Sequence, residues 1–219
     1  MKEFKLIFLA LVTVLISCSN DGENSDTNQE PMGPAPRTAI ADAAFEQFLV
    51  DQGVDDVIDG SVLTSEAEKV TSLVMNDEGI NSLQGIADFV LLENLWVNDN
   101  QISTLNLSSN TLLKFVYVQN NALTSINVSN LDILEKLSVP GNNLTQLDIS
   151  DSSTLQLLEI NDNTLGAIDL SAIPNSLQLN TFAVENNPLT CIKVNEEILN
   201  DIPAQWTKDM DDSYSLTCN

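Results

Sequence analysis

The strongest constraint in this chain is a period. From Leu137, apolar residues follow two, seven, ten and twelve places later at Val139, Leu144, Leu147 and Ile149, and Asn142 stands five places on. The same skeleton recurs from Leu95 (Val97, Asn100, Ile102, Leu105, Leu107), from Val116 (Val118, Asn121, Leu123, Ile126, Val128) and from Leu158 (Ile160, Asn163, Leu165, Ile168, Leu170). The anchors at 95, 116, 137 and 158 are therefore 21 residues apart. Weaker copies flank them: Leu73, Met75, Ile80 and Leu83 with Glu78 in the Asn place, and Phe182, Val184, Asn187, Leu189, Ile192 and Val194 after a three-residue insertion. A constant period dictates a stack of equivalent units, each burying its apolar face against its neighbours, with atypical units at the ends.

Residues two apart point the same way from a strand, so Leu137 and Val139 face the core while Ser138 and Pro140 face out. Stacked units then form a parallel sheet. Asn142 sits where the chain leaves the strand, and its amide can satisfy backbone groups the turn would orphan. The stretch from Leu134 to Leu144 resembles the leucine-rich repeat. At 21 residues the unit leaves little room for a full helix on the return path. The fold expected is a leucine-rich repeat solenoid with a parallel β-sheet on its concave face, extended or single-turn return segments, a small helical N-terminal cap and a disulfide-closed C-terminal cap.

In chain order, residues 1–17 read as a lipoprotein signal peptide: Lys2 and Lys5 precede an apolar run from Leu6 to Ile16 that is too short to span a bilayer. Leu15-Ile16-Ser17-Cys18 resembles the lipobox of bacterial lipoproteins, which implies lipidation of Cys18 and an outer-membrane address. Residues 18–38 lack the apolar content to order themselves and form an acidic tether. Its start, Ser19-Asn20-Asp21-Gly22-Glu23, resembles the acidic segment of surface-exported lipoproteins of Bacteroidota, and reads equally as a solvated spacer.

Residues 39–69 form the N-terminal cap. Asp42 is the expected helix N-cap, Phe45, Phe48 and Leu49 the buried face and Gly53 the stop, with Val57, Ile58, Val62 and Leu63 continuing the cover over the first repeat. Asp55, Asp56 and Asp59 are read as turn carboxylates, since their spacing is not that of an EF-hand loop. Residues 70–194 hold about six repeats, and residues 195–219 the C-terminal cap, with Ile198, Leu199, Ile202 and Trp206 expected to be buried. With Cys18 lipidated, Cys191 and Cys218 remain as an even pair in an exported chain and are expected to bond. The stretch from Ile40 to Val90, with Asp-Ala-Ala-Phe-Glu-Gln-Phe-Leu and Gly-Ile-Ala-Asp-Phe, is similar to the N-terminal half of leucine-rich repeat lipoproteins of Bacteroidota. Asn187-Pro188-Leu189-Thr190-Cys191, followed by Trp206 and Cys218, is similar to their C-terminal cap.

The chain carries 8 basic and 32 acidic residues and no His, a formal charge of −24. Removing the leader, with Lys2, Lys5 and Glu3, takes it to −25. Phosphate backbones must be neutralised by Lys and Arg to bind, so nucleic acid is a poor partner. Without His there is no His-based triad and no His-metal site, and no nucleophile elbow or phosphate-cradling glycine loop is present. The chain reads as non-catalytic, without cofactor or metal, and held to a membrane through its lipid anchor alone.

Outward positions of successive strands fall in columns. One runs Val74, Trp96, Tyr117, Ser138, Glu159, Ala183 and another Asn76, Asn98, Gln119, Pro140, Asn161, Glu185, with Asp99 and Asp162 extending the face towards the turn. The candidate ligand-binding residues are Trp96, Asn98, Asp99, Tyr117, Gln119, Glu159, Asn161, Asp162 and Glu185. Strands lie about 4.8 Å apart, which places the two aromatics side by side. Such a patch suits a protein or peptide partner; a glycan is the alternative, and an envelope spacer without a specific ligand is the second alternative.

Overall fold

A computed structural model describes residues 33–175 and 177–218. The leader, Cys18 and most of the tether lie outside them. The repeats build one six-stranded parallel sheet from Ser72–Val74, Asn94–Trp96, Phe115–Tyr117, Lys136–Ser138, Leu157–Glu159 and Thr181–Ala183, paired in chain order. The register follows the period: Leu73 pairs with Leu95, Leu95 with Val116, Val116 with Leu137, Leu137 with Leu158, and Leu158 with Phe182. All six are at most 2% exposed, as are Met75, Val97, Val118, Val139, Ile160 and Val184 two places on.

The return path is extended, as the short unit requires. Thr104–Asn106 pairs in parallel with Ser125–Asn127, and Ala167–Asp169 with Cys191–Lys193, which in turn carries Tyr214–Ser215. Among the described residues of the repeats, the only helical segment is a 3-10 turn at Ile86–Asp88.

Each repeat Asn ties its own turn to the unit before it. Asn142 Oδ1 accepts from the Leu123 N–H at 3.0 Å, while its Nδ2 donates to the carbonyls of Val118 at 2.9 Å and Val139 at 3.0 Å. Asn163 repeats this with Leu144, Val139 and Ile160, and Asn187 with Leu165, Ile160 and Val184. Asn100 accepts from both Glu78 and Ile80, which compensates for the Asn missing from the first unit. One residue earlier, the chain turns through left-handed backbone in every unit: Asp77, Asp99, Asn120, Gly141, Asp162 and Asn186 all have φ between 51° and 66°. Asp, Asn and Gly are the residues that accept this conformation.

At the N-terminal end, the helix Ala43–Asp51 starts at Asp42, whose Oδ1 accepts from Ala44 and Phe45 N–H, both at 3.0 Å. Its Oδ2 accepts from Asn81 and Ser82 N–H at 2.8 and 3.1 Å, so one carboxylate joins the cap to the first repeat. Partial burial pushes this carboxyl up, but the four backbone donors outweigh it and hold it below the usual carboxylate range. Glu46 is buried, and its Oε1 accepts from the N–H groups of Asp59, Gly60 and Ser61 at 2.8, 2.6 and 3.0 Å. Val62 is fully buried, but Val57 and Ile58 are each 49% exposed, contrary to the sequence expectation. They lie in a turn between Gly53 and Gly60 that Glu46 and the Arg37–Asp59 ion pair hold in place. The first repeat is covered by Ile40, Phe45, Leu49 and Ala67 instead. Asp59 faces Arg37 and Ser61, and Asp55 Oδ1 accepts from the Asp56 N–H. Among the described residues, no group of three or more His, Cys, Asp or Glu is placed to hold a metal.

At the C-terminal end, Cys191 and Cys218 form a disulfide with Cα atoms 5.7 Å apart. Trp206 is 7% exposed, meets the Phe182 ring edge-on at 5.2 Å and donates its Nε1–H to the Leu179 carbonyl at 2.8 Å. Ile198 is fully buried, but Leu199 is 36% exposed, a second departure. The helix Glu196–Asn200 is one short turn with a single inward position, which Ile198 fills; its neighbour is rotated by about 100° to solvent.

Candidate binding face of the sheet

The outward side chains of the six strands form a ruled surface because the register is unbroken from Leu73 to Phe182. Trp96 and Tyr117 occupy paired positions on neighbouring strands, and their rings stack with centroids 5.7 Å apart and planes 4° from parallel. One face of each ring is thus turned to the other, and both side chains are half-buried. Burial, with the Glu159 charge adding, pushes the Tyr117 hydroxyl above its ordinary range, so it stays a neutral donor and acceptor.

A polar chain continues from the aromatics. Gln119 Nε2 donates to Ser138 Oγ at 2.9 Å, and Ser138 Oγ donates to Glu159 Oε2 at 2.7 Å. Ser138 points outward as its parity requires, yet it is fully buried beneath these neighbours. Asn98 lies on the same rule: its Oδ1 accepts from the Gln119 N–H at 2.8 Å, as Asn76 Oδ1 does from the Asn98 N–H. Asn161 Nδ2 donates to Asp162 Oδ2 at 2.6 Å. Asp99 and Asp162 sit at the left-handed turns, where backbone geometry accounts for their type, and they accept from Asn120 and Asn186 at 2.8 Å each. Glu185 lies at the C-terminal edge, half-buried.

A third outward column escaped the sequence reading: Ser72, Asn94, Phe115, Lys136, Leu157 and Thr181, one place before each anchor. Phe115 lies two residues before Tyr117 on the same strand, and the Lys136 ammonium stands 5.2 Å from its ring centroid. Period-two alternation already contained this column, since residues at −1, +1 and +3 of a strand share a face. The aromatic patch therefore has three members.

The face is ruled and open. Two cavities of about 270 Å³ lie elsewhere, one lined by Ser82–Ala87 with Thr104–Asn106 on the return side and one at the N-terminal cap around Gly53–Asp56. A surface of this kind suits an extended or broad partner, since small-molecule sites are concave.

No protein-family model matches the chain, and no curated protein matches it. Among solved structures, it is similar to the functional domain of InlJ from Listeria monocytogenes, which includes a cysteine ladder, with a TM-score of 0.64 and 25% identity over 75% of this chain and 39% of that one. Two further internalins of Listeria monocytogenes align more loosely: inlC2, with a TM-score of 0.38 and 16% identity over 81% of this chain and 100% of that one, and inlF, with 0.32 and 19% over 81% and 71%. The chain spans about two fifths of the length of the InlJ structure. Its own cysteines stand at 18, 191 and 218, so the position-specific ladder in its repeats is made of Asn. The architecture is that of a leucine-rich repeat solenoid, with Listeria internalins as its structural neighbours.

Proposed function

We propose that the protein is a non-catalytic recognition module that binds a protein or peptide through the outward face of its six-stranded sheet. The observation that carries this is the stacked Trp96–Tyr117 pair, flanked by Phe115 and by amides and carboxylates held in fixed rows. Aromatic side chains with a polar handle are the groups that most often anchor interfaces. The likeness to the InlJ domain supports the same reading, and so does the absence of His from the whole chain. Because each ring turns one face to the other, the pair is a poorer flat platform for a sugar ring than two separate aromatics would be; a glycan-binding accessory role is the alternative. The lipobox-like Leu15-Ile16-Ser17-Cys18 supports an anchor at Cys18 in the outer membrane of a bacterium of the Bacteroidota type, and the acidic stretch after it an outward orientation.

Panning a random dodecapeptide display library and a glycan array against the mature chain, with Trp96→Ala/Tyr117→Ala as counter-selection, tests the face. Peptides that bind the native chain and lose at least tenfold in affinity on the double variant are expected; glycans that do so select the alternative, and ligands indifferent to the variant place binding elsewhere. Mass spectrometry of the native N-terminus tests the anchor: an unmodified Cys18 on a freely secreted chain overturns it.

A further inference from the structure

The outward face is uneven along the stack. On its first three strands the outward positions are Ser72, Val74, Asn76, Asn94, Trp96, Asn98, Phe115, Tyr117 and Gln119, with no charge among them. On the last three, Glu159 and Glu185 appear, with Lys136 at the boundary. Lys136 stands over the Phe115 ring, towards the aromatic half. Among the described residues the ion pairs are Arg37–Asp59, Lys69–Glu66, Lys114–Glu93 and Lys193–Asp169, so neither Glu159 nor Glu185 has a cationic partner. Both are half-buried; Glu159 accepts from Ser138, but no ion pair matches the charge of either among the described residues.

Negative charge continues beyond Glu185. Asp209 accepts from the Asn186 N–H at 2.7 Å, and Asp212, only 8% exposed, has an Oδ2 without a hydrogen-bond partner among the described residues. Burial drives the Tyr214 hydroxyl up to about 12, with the Asp212 and Glu185 charges adding; the cation at this end, Lys208, stands 5.9 Å from the Tyr214 ring and offsets part of the Asp212 charge, and it forms no ion pair with Glu185 among the described residues. With 8 basic against 32 acidic residues, the chain has few cations of its own to offer.

On the reading of this sheet as a recognition surface, we infer that its partner is an extended basic segment: an aromatic or aliphatic side chain rests on Trp96, Tyr117 and Phe115, and a Lys or Arg reaches Glu159 and Glu185. The spacing follows from the sheet. Tyr117 and Glu159 lie two strand steps apart and Trp96 and Glu159 three, about 10 and 14 Å. An extended segment crossing the strands advances about 6.6 Å per pair of residues, so a basic residue four places, about 13 Å, from the apolar one spans Trp96 to Glu159 with both side chains facing the sheet, whereas two places fall short of either distance. Glu159 and Glu185 are offset by one strand and two residues, roughly 8 Å, a gap that one guanidinium can bridge. Lys136 repels a basic side chain placed any nearer the aromatics, which sets the order of the two contacts.

The test uses the mature chain, the random dodecapeptide library, and two variants, Trp96→Ala/Tyr117→Ala and Glu159→Gln/Glu185→Gln. Gln keeps the acceptor for Ser138, so the second variant removes charge and leaves the polar chain in place. Peptides that depend on the aromatics are expected to carry Lys or Arg four places from an aromatic or aliphatic residue, to bind the Gln variant about fivefold more weakly, and to lose that difference in high salt, where the screening length falls to about 3 Å at roughly 1 M. Aromatic-dependent peptides with no basic enrichment, or with equal affinity for the Gln variant, overturn the inference while the recognition reading stands. If no recovered peptide depends on Trp96 and Tyr117, both fall.

Discussion

The two ends of the solenoid face the same problem, an exposed cross-section of apolar core, and solve it with different chemistry. The N-terminal end is closed by hydrogen bonds to carboxylates: Asp42 gathers four backbone N–H groups and Glu46 three. The C-terminal end is closed by a covalent bond and an indole: Cys191–Cys218 ties the last strand to its neighbour, and Trp206 packs on Phe182. One closure depends on protonation and the other on redox state. Between them the inner turns are held mainly by neutral amides, while on the return side Asp148 and Asp169 are held below the ordinary carboxylate range by bonds from Ser150 and, against some desolvation, from Lys193 and Ser171. The ends should therefore be separable by conditions as well as by mutation.

The largest effect is expected from the covalent end. Replacing Cys191 and Cys218 together by Ser frees a closed loop with a sequence separation of 27. On the chain-entropy account this costs about 3 to 4 kcal/mol, and reductant should reproduce it in the native chain. Hydrogen exchange locates the loss: protection should fall at Ile192 and Val194, whose N–H groups donate to the Ser213 and Ser215 carbonyls, and stay at Val97 and Val118, whose N–H groups donate within the six-stranded sheet. Equal loss at both places would mean that the cap and the repeats unfold as one unit.

At the other end, Glu46→Ala removes the shared acceptor of three N–H groups, of which only that of Ser61 keeps a second partner in Asp59 Oδ1, and should cost about 1 to 2 kcal/mol in urea unfolding. Glu46→Gln keeps one carbonyl oxygen in the same position and should recover roughly half of that. Failure of Gln to improve on Ala would show that the negative charge, and not the acceptor, holds residues 59–61. In the middle, Asn142→Ala should cost about 2 kcal/mol, insensitive to both reductant and acid, because the amide joins Leu123 to Val118 and Val139 without any titrating group.

The repeats were the most legible part of the sequence, since one period sets strand direction, register and core positions together. Leu95, Val116, Leu137 and Leu158 pair as their spacing requires. In the caps, the Asp42 N-cap and the Cys191–Cys218 bond were legible, but which residues are buried was read from apolar content alone. A list of hydrophobic residues does not reveal that Glu46 would fold the 59–61 turn onto itself, and so does not reveal that Val57 and Ile58 would be left in solvent. Leu199 failed for a related reason: in a five-residue helix, apolar character carries no phase. On the binding face, Trp96 and Tyr117 could be placed from parity alone, whereas Phe115 was missed by tracking only positions after the anchor. The burial of Ser138 depends on Gln119 and Glu159 closing over it, side-chain contacts that no spacing encodes.

The smallest effect should be the most diagnostic of the contrast. Asp42 has a folded pKa below its ordinary value of 3.8, because four N–H donors favour the carboxylate over the opposing pull of desolvation. Its contribution is therefore fully present above 3.8 and is lost as pH falls from there through the folded pKa. Asp212, in the covalent end, is shifted upward by burial, which outweighs the opposing Asp209 N–H bond and Lys208 charge, so acidification through the same region relieves a penalty there. Asp169, partly desolvated but bonded to Lys193 and Ser171 beside the disulfide, is, like Asp42, held below the ordinary range, so acid weakens both ends; the disulfide and a neutralised Asp212 should keep the C-terminal end closed longer than the N-terminal one. Asp42→Ala, at about 1 kcal/mol near neutral pH, should remove the acid-sensitive part of that end's protection. Amide exchange at Ala44, Phe45, Asn81 and Ser82, followed from pH 5 to pH 3 in the native chain and the variant, measures it directly. Opening that begins instead at Ile192 and Val194 would reverse the assignment of the acid-sensitive end.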